Sequence, residues 1–95
     1  MRVEWDESKR LSNLEDHGVD FKDAALIFEG VFLEAEDKRN DYGEPRFRAL
    51  GHVGDDHFMV AFTWRGEARR IISAWRVDDE GKRRYETILN RDPPN

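Results

Sequence analysis

His57-Phe58-Met59-Val60-Ala61-Phe62-Thr63, then Trp64-Arg65-Gly66-Glu67, then Arg70-Ile71-Ile72-Ser73-Ala74-Trp75-Arg76-Val77: residues 57–77 read as two strands joined by a tight turn. The first run is apolar at nearly every position, as in a strand covered on both faces, so it belongs at the centre of a sheet. The second begins in arginine and stays apolar through its middle. With strict alternation, Ile71, Ser73, Trp75 and Val77 share one face, and Arg70, Ile72, Ala74 and Arg76 share the other. Gly66 between charged residues marks the turn and makes the pair antiparallel.

The same period of two extends upstream. Gly54-Asp55-Asp56 is a second hairpin turn, and before it Arg46, Arg48 and Leu50 alternate with Phe47 and Ala49 up to Gly51. Val31-Phe32-Leu33 begins a further strand that runs into the charged stretch 34–41, and Tyr42-Gly43-Glu44-Pro45 turns the chain. Earlier still the period becomes helical. Asp6 is a good N-cap and Gly18 a stop, with Leu11 and Leu14 as the apolar stripe between them. Phe21, Ala24, Ala25 and Phe28 fall at i, i+3, i+4 and i+7, a second amphipathic helix closed by Gly30. At the other end Asp78 caps a last helix with Tyr85, Ile88 and Leu89 on one face, and Pro93-Pro94 forbids its continuation.

The fold predicted is one α+β domain over residues 1–95. It has two N-terminal helices, an antiparallel sheet of three or four strands, and a C-terminal helix, with helices on one side of the meander. Hairpin-length turns argue against a parallel sheet. A chain of 95 residues has room for one core only, and 11 aromatic side chains are enough to build it. Cysteine is absent, which excludes disulfides and suits a reducing, cytoplasmic setting. The N-terminus is charged from its second residue and lacks an apolar run of signal-peptide length, and no stretch approaches the roughly 20 apolar residues that span a bilayer, so neither a signal peptide nor a membrane span is expected.

A net charge of −5 argues against a nucleic-acid ligand until its distribution is read. Residues 1–64 carry 8 Lys/Arg against 15 Asp/Glu, a balance of −7, whereas residues 65–95 carry 8 against 6, a balance of +2. Seven of those last eight cations are arginine, the side chain that grips phosphate with two bonds.

Four constellations offer chemistry. Lys9, Asn13 and His17 repeat at i, i+4 and i+8 along one face of the first helix. Tyr42-Gly43-Glu44-x-Arg46 holds a carboxylate that serves as a base or pairs with its neighbour. Arg65, Arg69, Arg70 and Arg76 are interleaved with Trp64 and Trp75, which suits RNA: guanidinium binds phosphate and indole stacks on bases. Lys82-Arg83-Arg84-Tyr85 makes the last helix basic. No glycine-rich phosphate loop and no HExxH motif is present, and His17, His52 and His57 have no metal-ligand spacing. No metal and no cofactor is expected.

Together these residues resemble the BrnT family of toxins. The matching stretches are Val3-x-Trp5-Asp6-x-x-Lys9-x-x-x-Asn13-x-x-x-His17-Gly18-Val19-x-Phe21, Tyr42-Gly43-Glu44-x-Arg46, Thr63-x-Arg65, Arg70-Ile71-Ile72-Ser73-Ala74 and Arg83-x-Tyr85-Glu86, spanning residues 3–86. The resemblance implies a RelE-like ribonuclease fold. It also implies a metal-free endoribonuclease that inhibits translation and growth, held in a hetero-oligomer by a DNA-binding, ribbon-helix-helix-like antitoxin. On that reading Arg65 and Arg70 stabilise charge on phosphate, Glu44 or His17 accepts a proton, and Tyr85 contacts substrate or acts as acid. Lys9, Arg46, Trp75, Arg76 and Arg83 contact RNA, and the acidic residues 1–64 suit a basic antitoxin segment. Asp16, Trp75 and Gly81 stand where the family usually has Lys, Arg and Glu. They support the alternative of a catalytically weakened module that only binds an antitoxin.

Overall fold

The hairpin of residues 56–76 is the middle of a five-stranded mixed sheet. The computed structural model describes residues 2–39 and 41–91; Pro93-Pro94, read as a helix stop, lies outside them. In chain order the elements are β1 (Val3–Trp5), α1 (Glu7–His17), α2 (Phe21–Ala24) running into a 3-10 segment (Ala25–Glu29), β2 (Phe32–Asp37), β3 (Arg46–Val53), β4 (Asp56–Arg65), β5 (Ala68–Arg76) and α3 (Asp79–Arg91). Across the sheet the order is β1-β5-β4-β3-β2. The four strands β2 to β5 form the expected antiparallel meander, with β4 in the centre.

β1 corrects the all-antiparallel expectation. It pairs parallel with β5, Val3 opposite Arg69 and Trp5 opposite Ile71. Three residues are too few to show alternation, and the link from β1 to β5 is the rest of the domain. The short turns elsewhere therefore place no limit on it.

The helix boundaries follow from their caps. The Asp6 carboxylate accepts from the backbone N–H of Ser8 (2.8 Å) and Lys9 (3.2 Å), and Gly18, at φ 68°, closes α1 by donating to the Leu14 carbonyl. Asp20 caps α2 in the same way through Lys22 N–H. The periodic Phe21, Ala24 and Phe28 are buried as expected, but the backbone tightens to 3-10 after Ala24. This segment crosses β3 at Gly51, where an added Cβ would lie 2.8 Å from Ile27 Cβ and 3.2 Å from Phe32 Cβ. Phe21, Ile27, Val60, Phe62 and Ile71 fill the core between these helices and one sheet face.

α1 packs differently from its leucine stripe. Leu11 and Leu14 are 53% and 41% exposed, while Asn13 is buried. β1 pairs β5 only over residues 69–71, so the edge of β5 beyond them has backbone groups in need of partners. Asn13 meets them. Its Nδ2 donates to the carbonyls of Ala74 (2.8 Å) and Val19 (2.9 Å), and its Oδ1 accepts from Ala74 N–H (3.1 Å).

Two further features set up the opposite face. Ala61 pairs with Ser73 but Phe62 pairs with Ile71, so Ile72 is an extra residue, a bulge in β5. Strict alternation therefore fails there. Ile71 and Ala74 both face the core, and Arg70, Ser73 and Trp75 all face the other side. α3 also lies on that other side, against the expectation of helices on one side only. Tyr85 anchors it, buried against the His52 and His57 rings with its hydroxyl donated to the Val31 carbonyl at 2.7 Å. Ile88 of the predicted apolar face stays 45% exposed. Between α3 and the sheet runs a groove of about 470 Å³ lined by Leu33, Leu50, Met59, Val77 and Ile88 among others.

Candidate functional site

The sheet face away from the α1–α2 layer is largely uncovered, and its side chains fall in rows across the strands. One row is charged: Asp37 lies opposite Arg46, and Thr63 opposite Arg70, itself opposite Glu4. The next is small apart from one residue: Ala35, Arg48, Ala61 and Ser73. The third is apolar: Leu33, Leu50, Met59 and Trp75. The middle row is thus a trough, with Arg48 its one long side chain.

At the charged end, Arg65 Nη2 lies 3.5 Å from Glu44 Oε1, with the arginine side chain 55% exposed. Thr63 Oγ1 donates to the Pro45 carbonyl at 2.7 Å and holds the Tyr42–Pro45 turn beside β4. Gly43 in that turn has φ 77°, a conformation that favours glycine. Arg70 Nη1 pairs with Glu4 Oε2 at 2.7 Å. Arg46 stacks over the Tyr42 ring, 4.3 Å from its centroid. The Asp37 carboxylate accepts from Arg39 and from the Tyr42 hydroxyl, and the Arg39 bonds hold it well below the usual carboxylate range.

At the far side of the trough, Arg48 sits 5.7 Å from the Trp75 ring centroid, and the His17 ring is 6.4 Å from the same indole. Lys9, Asp16, His17 and Ser73 line a recess of about 230 Å³ beside it. Arg76 shares a neighbouring recess with Asp16, His17 and Trp75, yet its guanidinium stacks on Phe58 and lies 3.8 Å from Asp56.

The structure therefore brings Glu44, Arg46, Arg65, Arg70, Trp75 and His17 to one face or its edge, with Lys9 at the rim, whereas Arg76, expected on the face of Arg70, leaves β5 on the core side opposite Phe58 because the bulge reverses the alternation. It does not bring Tyr85 or Arg83 there. Tyr85 was expected to touch substrate, but it is a core anchor at the opposite end of β3 and β4, and burial raises its pKa. Arg83 is exposed on α3 beside Glu80 and Thr87. Asn13 leaves the polar stripe of α1 to serve the β5 edge. Arg69 and Trp64, read with the arginine set, lie on the core side, where Arg69 is buried among Phe28, Phe62 and Trp64 and paired with Glu34.

The sequence alone assigns no role to Arg48 or Glu4, which the sheet also places on this face. The alternation of Arg46 with Arg48 was the signal for the first. Glu4 had none, because its place depends on the parallel β1–β5 pair.

Comparison with known proteins agrees with this architecture. The chain is similar to the crystal structure of the Brucella abortus ribonuclease toxin, BrnT, with 28% identity and a TM-score of 0.62, over 83% of this chain and 99% of that one. A family model described as "Ribonuclease toxin, BrnT, of type II toxin-antitoxin system" matches residues 5–81. No curated protein sequence matches significantly. These matches define the class, the ribonuclease toxins of type II toxin–antitoxin systems. Within it, the chain belongs to the BrnT family. Its α+β fold is that of the Brucella structure, and no helix among the described residues is long and apolar enough to cross a membrane.

Proposed function

We propose that this chain is itself an endoribonuclease and that RNA lies along the open sheet face. One observation carries the reading: the β5 bulge turns Arg70 and Trp75 onto the same face, between the Glu44–Arg65 pair and His17. Cleavage of RNA through its own 2′-hydroxyl needs a proton acceptor, cations to hold charge on the phosphorane, and a proton donor for the leaving oxygen. The 2′-oxygen forms a bond to phosphorus as its proton passes to the base. The bond from phosphorus to the 5′-oxygen breaks as that oxygen gains a proton. The products are a 2′,3′-cyclic phosphate and a 5′-hydroxyl. Arg65 and Arg70 supply the charge, and Glu44 and His17 are the groups able to exchange protons. The route so written draws on these side chains alone and calls for no metal. Lys9, Arg46 and Trp75 contact the strand.

In this reading the protein acts in the cytoplasm, and cleavage inhibits translation and growth. A DNA-binding, ribbon-helix-helix-like antitoxin neutralises it in a hetero-oligomer, its basic segment drawn to the acid-rich residues 1–64. The second reading, a module that only binds antitoxin, draws on Asp16 and Trp75, which line one recess with His17. Purified protein incubated with RNA, with and without EDTA, separates the two. Cleavage that persists in EDTA and leaves cyclic phosphate ends is expected. Loss of cleavage in EDTA with recovery in magnesium overturns the metal-free route. Intact RNA under every condition favours the binding module.

A further inference from the structure

We propose that Arg46 and Arg48 together form the seat for a phosphodiester of the RNA, with the neighbouring base on Trp75. This rests on the ribonuclease reading and adds to it a binding site separate from the residues that act on the reacting phosphate.

The two arginines differ from those around them. Arg65, Arg69, Arg70 and Arg76 each have a carboxylate within ion-pair distance. Arg46 and Arg48 have none among the described residues, in a chain where acidic side chains outnumber Lys and Arg by 21 to 16. Both Nε atoms are buried and lack a hydrogen-bond partner. The carboxylate opposite Arg46, Asp37, is already engaged by Arg39 and Tyr42. A buried N–H of a charged group without a protein acceptor is unfavourable and marks a side chain that the fold itself does not fully satisfy.

Geometry identifies the ligand's chemistry. Arg46 and Arg48 are two residues apart on β3, so their Cα atoms are roughly 6.6 Å apart and both side chains leave the same face. Each guanidinium is held against an aromatic ring, Tyr42 for Arg46 and Trp75 for Arg48, which fixes its plane and reduces the entropy lost on binding. Both side chains are half-buried with Nε enclosed, so the terminal Nη hydrogens are the ones offered to the paired oxygens of a phosphodiester. Ala35, Ala61 and Ser73 leave the row clear for a backbone to cross. The half-buried Trp75 offers a stacking partner at the end of that row.

Arg65 and Arg70 each hold one guanidinium nitrogen against a carboxylate in the resting protein, so part of their charge is offset before phosphate arrives. Ground-state binding therefore falls to Arg46 and Arg48, and the paired arginines act as charge develops. The consequence is a split in kinetics.

The test uses a 2′-O-methyl oligoribonucleotide, which binds but cannot be cleaved, and the matching unmodified RNA. Arg48→Gln and Arg46→Gln should each weaken oligonucleotide binding on the order of tenfold or more, with the logarithmic salt slope reduced by about one. In cleavage the loss should fall on KM, with kcat within a few fold. The melting temperature should hold, because neither substitution breaks an ion pair among the described residues. Lys22→Gln, an equal change of charge on α2 across the core from this face, should bind as the unaltered protein does. Normal binding by both arginine variants, in a protein that cleaves RNA, overturns the seat alone. Weakened binding that tracks a fallen melting temperature also overturns it, as the mark of a merely structural role. A wild-type protein that neither binds the oligonucleotide nor cleaves RNA overturns the ribonuclease reading and the seat with it.

Discussion

The side-chain amide of Asn13 closes on both backbone groups of Ala74, accepting from its N–H at 3.1 Å and donating to its carbonyl at 2.8 Å. The amide does for the upper half of β5 what β1 does for the lower half. Asn13→Ala leaves the Ala74 and Val19 groups buried without partners and should destabilise the fold by about 2–4 kcal/mol. Urea unfolding measures this directly. RNA cleavage, assayed where the variant is folded, should be retained. Lost cleavage at full stability would return Asn13 to the chemistry.

Tyr85→Phe tests the anchoring role of the phenol. Removing its bond to the Val31 carbonyl should lower stability by about 1 kcal/mol and leave cleavage unchanged. The ring remains to pack on His52 and His57. A hundredfold fall in kcat at unchanged stability is the outcome that contradicts this placement.

Arg65→Ala should reduce kcat on the order of 10² to 10³, the usual effect of losing one preorganised charge contact in the transition state. The exposed pair with Glu44 adds little to stability, in the range of about 0–1 kcal/mol, so the melting temperature should barely move. Undiminished cleavage removes Arg65 from the site.

Much of this fold could be read directly. Asp6, Gly18, Asp20 and Asp78 mark helix ends through chemistry local to the chain, and hairpin glycines at 54 and 66 mark the turns. What escaped depends on partners distant in sequence. β1 has three residues and acquires meaning only beside β5. Gly51 read as the end of a strand, yet β3 continues to Val53, because the glycine makes room for Ile27. Asn13 looked like part of a solvent-facing stripe, because nothing near it in sequence announces an open strand edge. Among candidate site residues, Glu44, Arg46, Arg65 and Arg70 lie close to segment ends that the turns located. Tyr85 carried the same chemical promise but was claimed by the core.

Acid should expose the role of Asp37. Its folded-state pKa is depressed, chiefly by Arg39, so the ionised form favours folding. That contribution is complete above the unfolded value of about 3.9 and is lost as pH falls through the more acid range. Urea midpoints measured from pH 5 down to pH 2 should decline in the wild type and decline less in Asp37→Asn. Parallel declines in the two proteins would assign the acid sensitivity to other carboxylates, Asp20 with its Arg10 and Lys22 partners among them.

The extra residue in β5 reverses the parity of the strand. Before Ile72 the odd-numbered positions, Arg69 and Ile71, face inward; after it the even-numbered ones, Ala74 and Arg76, take that side. A saturation library across residues 69–76 should record this as a change of phase, intolerance moving from odd to even numbers at one step. Deleting Ile72 would restore a regular strand and leave Arg70 and Trp75 on one side, four ladder positions apart, whereas pairing Ile72 in the ladder would turn them to opposite sides. The irregularity is thus a splice between two half-strands, and the surface they share exists only while Ile72 stays out of the ladder.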